Sequence, residues 1–164
     1  MFAAPILAVI AVMVVATPAV AQCTAAPAPG VDWRRCLMDR RDLKGVDLSG
    51  AILRDANLQR ADLTGATLRE VEAIDSRLNS AMLANADLTG ANLRNADLTR
   101  ADLKGAKLRQ ADLRQARLFR ADLRNADLTG AELGGADLSG ADLAGATWLD
   151  GARICGPRSV GLCQ

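Results

Sequence analysis

The chain has 164 residues, a length that suits one domain, and balances 20 Lys and Arg against 19 Asp and Glu for a net charge of +1. That balance excludes a strongly basic nucleic-acid binder and a strongly acidic decoy. With no His and no Tyr it lacks the commonest general base and metal ligand, and with aromatics at 2% its core has to be built from Ala and Leu.

Residues 1–21, MFAAPILAVIAVMVVATPAVA, carry no charged side chain and end in Ala19-Val20-Ala21. An apolar run closed by A-x-A predicts a secretory signal peptide cleaved before Gln22, and so a periplasmic or secreted protein with no stable membrane span after cleavage. A retained anchor is the rival reading. It has only Phe2 to Ala16 as an unbroken apolar run, against roughly 20 residues for a span. Gln22 before Cys23 does not fit a lipobox, which needs a small residue there. Residues 22–30 then form a short N-terminal cap segment.

From residue 31 to 150 a five-residue frame holds without a slip. Leu fills 20 of the 21 positions from Leu43 to Leu143 at steps of five, with Ala73 the exception, and Ala fills 18 of the 22 positions two residues earlier, from 41 to 146. An α-helix advances about 500° in five residues, which would scatter the leucines round the whole cylinder. A straight strand fails too, because five is odd and successive leucines would alternate faces. The pattern works if the chain turns a corner in every unit. The small residue and Leu then point inward and the Asp or Asn between them points outward. The last two residues, often Thr-Gly, Ser-Gly, Arg-Asn or Lys-Gly, make the bend.

Longer recurrences set the number of sides. Arg34, Arg54, Arg94 and Arg114 recur at steps of 20 with Ile74 in the gap, as do Arg40, Arg60, Arg100 and Arg120 with Ser80 in the gap. Twenty residues are four units, so the coil is a square. Residues 31–150 make 24 units and hence six coils, a rod on the order of 29 Å long at ~4.8 Å per coil. Cys23 and Cys36 lie at one end, Cys155 and Cys163 at the other. A disulfide needs Cα atoms within about 7 Å, so the rod forbids cross-pairing. Cys23–Cys36 and Cys155–Cys163 are predicted, the second within a C-terminal cap of residues 151–164. Trp33 and Trp148, in the first and last units, are expected to seal the coil ends.

The A(D/N)LxX units resemble the pentapeptide-repeat family across about 120 of the 164 residues. The resemblance implies an all-β solenoid, the right-handed quadrilateral β-helix, with Leu at the central inward position. It also brings in a known activity of the family, inhibition of DNA gyrase by a duplex-like acidic rod, usually dimeric through a C-terminal helix. The tail here, ICGPRSVGLCQ, shows no such helix, and net charge and Arg columns oppose DNA mimicry.

Several features are candidates for function. The column Arg40, Arg60, Arg100 and Arg120 is expected to be neutralised by an outward Asp two residues on, at Asp42, Asp62, Asp102 and Asp122. The column Arg34, Arg54, Arg94 and Arg114 has weaker cover, with Asp, Ile, Asn and Asp two residues before, and is the better candidate for an anion-binding stripe. The segment 71–83, VEAIDSRLNSAML, puts Ile74 and Met82 where other coils have charge. It reads either as an apolar contact patch or as a coil defect in which Ile74 folds inward. Stacked Asp residues are expected to bind turn N–H groups rather than metal. No nucleophile–base pair can be nominated, so no enzyme, cofactor or metal is expected. The function this supports is a non-enzymatic exported scaffold binding a protein or an anionic envelope component, with no nucleic-acid partner; a gyrase-type DNA mimic is the alternative.

Overall fold

The computed structural model describes residues 23–164. The predicted signal segment lies outside the described residues. From Asp32 to Thr147 every fifth residue pairs in parallel with the residue twenty positions on, giving 20 consecutive bridges from Asp32–Ile52 to Asp127–Thr147. Four such columns stand side by side. The first side carries outward residues 32, 52, 72, 92, 112 and 132, and the second carries 37, 57, 77, 97, 117 and 137. The third runs from 42 to 142 and the fourth from 47 to 147, both at the same step. The square of six coils inferred from the repeat is the fold.

One unit shows why these residues make it. In 96–100, the Asp97 N–H donates down to Ser76 O at 2.9 Å. The Leu98 N–H donates up to Arg117 O at 2.8 Å, and the Arg117 N–H comes back to Ala96 O at 2.9 Å. The chain then bends at Thr99-Arg100, and the Ala101 N–H closes the turn on Leu98 O at 3.0 Å. Arg100 has φ +58°, and a single positive φ at the third residue of such a turn is the mark of type II. Every fifth residue from Arg35 to Gly145 shares this left-handed backbone, and 14 non-glycine residues adopt it. The conformation costs an ordinary residue roughly 1–2 kcal/mol, so the stacked coils hold these corners against a local preference. Glycine is needed most where a neighbour already fills the space. A Cβ on Gly105 would lie 2.5 Å from Asn85 Oδ1, one coil below.

Inside, the small-residue and Leu positions form one continuous core from Trp33 to Ala146. In the irregular coil Val71 and Ala73 are both buried, so the larger residue at one position offsets the smaller at the next. Ser76 is buried as well, and its hydroxyl donates to Ala73 O at 2.7 Å. Trp33 is fully buried in a leucine position, whereas Trp148 is half-buried against the core.

Both ends are stapled. Cys23 bonds to Cys36, which sits in an inward position of the first coil, and Cys155 bonds to Cys163. At the far end the frame stops when the positive φ moves to Gly151. The tail folds back, pairing Ile154 with Thr147 and Val160 with Asp142 in antiparallel bridges. It therefore covers the fourth and third sides of the last coil. Leu133 and Leu138, on the first and second sides of that coil, stay only half-buried. Among the described residues no helix is long and apolar enough to cross a membrane.

Leu98→Ala, in the middle of the core, is expected to cost about 2–5 kcal/mol in urea unfolding. Leu37→Ala, at an outward position, is expected to change stability by less than about 0.5 kcal/mol.

Candidate functional site

Lys107 and Arg117 pair with Asp87 and Asp97 from outward positions, and many of the other basic groups occupy one of the two corner positions. A basic residue in the first position reaches back to the outward carboxylate two residues before it, or up to the one stacked above that, 18 residues ahead. Arg34 pairs with Asp32 at 2.6 Å, and Arg54 with Glu72 at 2.8 Å. Arg114 meets both partners, Asp112 at 2.5 Å and Glu132 at 3.1 Å, and Arg94 comes within 4.0 Å of Asp112. Lys44–Asp62 at 3.0 Å and Arg109–Asp127 at 2.9 Å repeat the upward reach on other corners. The Asp112 carboxylate, hydrogen-bonded to it, raises the pKa of the Arg114 guanidinium, and the Arg34 guanidinium holds Asp32 below its usual value.

These contacts reverse the expectation for both arginine columns. Arg34, Arg54, Arg94 and Arg114 were the weakly covered set on the strength of residues two positions back. The coil above supplies the cover of Arg54 and Arg94 and a second partner for Arg114, while Arg34 is covered by Asp32 in its own coil. Conversely, Arg40, Arg60, Arg100 and Arg120 occupy the second corner position, with φ between 56° and 58°. None of them ion-pairs with the aspartate two residues on. Asp42, Asp62, Asp102 and Asp122 instead accept the backbone N–H of Lys44, Thr64, Lys104 and Arg124, and Asp122 also forms an ion pair with Arg124.

Ile74 and Met82 do not form one patch. Ile74 is half-buried at the corner between the first and second sides, while Met82 is outward on the third side and 41% exposed. The whole second side and a corner separate them. The defect reading fares no better, because Glu72, Arg77 and Met82 keep their bridges to both neighbouring coils and Asp75 and Ser80 keep the corner conformation. Ile74 takes the place of an arginine in its column and leaves the backbone undisturbed.

The outward aspartates are working parts of the corners. Asp87 accepts from the Thr89 N–H at 3.1 Å and the Thr89 hydroxyl at 2.6 Å, and Asp62 and Asp127 do the same with Thr64 and Thr129. Asn57 and Asn92 fill the role with their side-chain carbonyls, which explains why Asp and Asn interchange at this position. Burial pushes the Asp87 carboxyl up, but the Thr89 contacts and the charges of Lys107 and Arg69 more than offset it. Asp97 and Asp127 are held low by the same balance, and Asp112 and Asp122 chiefly by Arg114 and Arg124. Among the described residues no group of three or more acids or cysteines is placed to hold a metal ion.

The model of the family described as pentapeptide repeats (8 copies) matches residues 34–70, 42–79, 76–115 and 116–147. The chain belongs to the pentapeptide-repeat family. With that membership the four-sided stack is a right-handed β-solenoid. Among solved structures, HetL from the cyanobacterium Nostoc, described as involved in heterocyst differentiation regulation, is 33% identical. That match covers 76% of this chain and 70% of HetL with a TM-score of 0.52. Rfr23 from the cyanobacterium Cyanothece 51142 is 39% identical over 57% of this chain and 60% of its own, with a TM-score of 0.46. A pentapeptide repeat protein from the thylakoid lumen of Arabidopsis thaliana is 30% identical over 76% of this chain and 84% of its own, with a TM-score of 0.34. No curated protein matches the chain in sequence.

The carboxyls held low tie the rod's stability to pH. Their contribution is complete above the ordinary aspartate value of 3.8 and disappears as pH falls through the lower folded values. Thermal stability of this pentapeptide-repeat protein is therefore expected to be flat between about pH 5 and pH 7 and to fall below about pH 4. Asp87→Ala, which removes both Thr89 contacts, is expected to cost about 1 kcal/mol, and Asp87→Asn less; both are read by thermal melting at pH 7.

Proposed function

We propose that this pentapeptide-repeat protein is a non-enzymatic exported scaffold, a rigid rod whose flat sides bind a protein or an envelope component. The observation that carries the reading is the unbroken run of 20 parallel bridges. It stacks outward side chains in straight columns and makes surfaces that are flat and rigid. Many of the polar side chains between them bind corner N–H groups or form ion pairs within the rod. HetL, a member described by a regulatory role rather than by a reaction, is in keeping with action through binding.

Export is supported by the A-x-A ending at Ala21 and by cysteines that pair at both ends, since such bonds persist in oxidising compartments. The gyrase-type alternative finds its best support in the aspartates of the third side. Those carboxylates are partly neutralised by Lys44 and Arg124, and a column of arginines flanks them. The side lacks the uninterrupted negative charge of a duplex.

Cell fractionation with thiol trapping tests the reading. The expected result is a mature chain beginning at Gln22, recovered from the periplasm or medium, with no thiol available to alkylation. A full-length chain in the cytoplasm with four reactive cysteines, inhibiting gyrase supercoiling, would overturn it in favour of the DNA mimic.

A further inference from the structure

The arginines of the coils divide unevenly around the rod. Arg40, Arg41, Arg60, Arg77, Arg100 and Arg120 have no ion pair among the described residues, and every other arginine of the coils has one. Five of the six lie on the second side or on the corner where it meets the third, and Arg41 follows that corner at once, in the small-residue position that opens the third side of the first coil. Outside the C-terminal tail, the large exposed apolar residues lie in the same band or next to it on the third side. Leu37 on the second side is 76% exposed, Phe119 at the corner 36% and Met82 on the third side 41%. Phe119 lies under the Arg120 guanidinium, 5.1 Å from its centroid. These two distributions are independent, and they coincide.

The corner itself argues that the arginines are kept for something outside the chain. Arg40, Arg60, Arg100 and Arg120 hold a left-handed φ that glycine adopts freely at the sixth coil, in Gly140. They accept that conformation without gaining a carboxylate partner among the described residues, and only Arg120 has an aromatic one, Phe119. On the corner between the first and second sides, by contrast, arginines in the first corner position have ordinary backbone and carboxylate partners.

We propose that this edge binds an extended acidic polypeptide segment, with carboxylates received by the Arg40–Arg60 and Arg100–Arg120 pairs and an apolar side chain between them beside Met82. Members of each pair are one coil apart, and the pair centres are three coils apart, about 14 Å. In an extended strand at ~3.4 Å per residue, side chains at i and i+4 point the same way and are separated by about 13.6 Å. Residue i+2 falls on the same face midway between them, opposite Ser80, where the arginine column is interrupted. An acid–x–apolar–x–acid segment thus fits the edge. Arginine with aromatic and Met side chains is also the composition that protein interfaces favour. A dense polyanion fits less well, because the adjoining third side carries Asp42, Asp62, Asp102, Asp122 and Asp142, which repel continuous negative charge.

This inference rests on the scaffold reading and names its contact surface. The test is fluorescence anisotropy with the disulfide-bonded mature chain and a labelled peptide, Thr-Glu-Thr-Leu-Thr-Glu-Thr, with heparin and phosphatidylglycerol-containing vesicles as separate probes. The peptide is expected to bind and to weaken as salt rises from about 50 to about 300 mM. Replacing Arg40, Arg60, Arg100 and Arg120 together by Gln is expected to reduce its affinity at least about tenfold, while the same change at Arg34, Arg54, Arg94 and Arg114 leaves it within about twofold. Arg100→Glu alone, checked for an unchanged melting temperature, serves if the fourfold variant does not fold, and is expected to weaken binding at least about threefold. Absence of peptide binding, or equal loss in both fourfold variants, would overturn the inference. So would tighter binding of heparin or vesicles through the same four arginines, which would assign the edge to a glycan or a membrane. An exported, oxidised chain that ignores the peptide contradicts this inference and leaves the scaffold reading standing.

Discussion

Each corner of the rod rests on a residue with φ between 54° and 73°, repeated at every fifth position from Arg35 to Gly145. That conformation turns the chain by a quarter of a square, and four of them bring it back over itself after twenty residues. Everything else depends on the turn arriving on time. The inward pair, Ala and Leu, works because only three residues separate one corner from the next. The ladder works because the middle residue bonds down while its two neighbours bond up, as Asp97 and Leu98 do. Local preference does not favour these corners where the residue is not glycine. The stack enforces them, and this makes the fold a cooperative object rather than a string of stable units.

The same corner decides the electrostatics. A side chain in the first corner position leans over the outward column and meets carboxylates at two heights, as Arg114 does with Asp112 and Glu132. On the edge between the second and third sides, the arginines of the left-handed second position meet none. Arg35, also in the second position but on the edge between the first and second sides, reaches Asp55 at 3.7 Å, so an arginine's cover depends on its edge as well as on its place in the repeat. A rod with net charge of +1 can in this way present a local excess of positive charge without an overall excess. The aspartates contribute in a different way, because they satisfy turn N–H groups as well as neutralising cations.

Much of this was legible in the sequence. The unslipped frame gave the inward and outward positions, the twenty-residue recurrences gave four sides, and rod length gave the disulfide pairing. The arginine columns were read in the wrong order of cover, for a physical reason. Residues two positions apart in sequence are visible in the string, but the partner 18 residues ahead matters as much, and its relevance depends on which way the corner aims the side chain. Arg54 and Arg94 look bare beside Ile52 and Asn92 and are covered from the next coil. Ile74 and Met82 looked like neighbours because eight residues is a short interval, yet in a square coil it carries the chain from a corner past one whole side. The signal that could have separated the columns was present in the five-residue phase of each arginine.

The stacking itself is open to a direct measurement in solution. Spin labels at Asp47 and Asp127, and separately at Asp47 and Thr147, sit on the fourth side four and five coils apart. Pulsed electron–electron resonance is expected to give distances near 19 Å and 24 Å, an increment of about 4.8 Å for twenty added residues. Equal distances, or an increment several times larger, would contradict a chain that closes one square in every twenty residues.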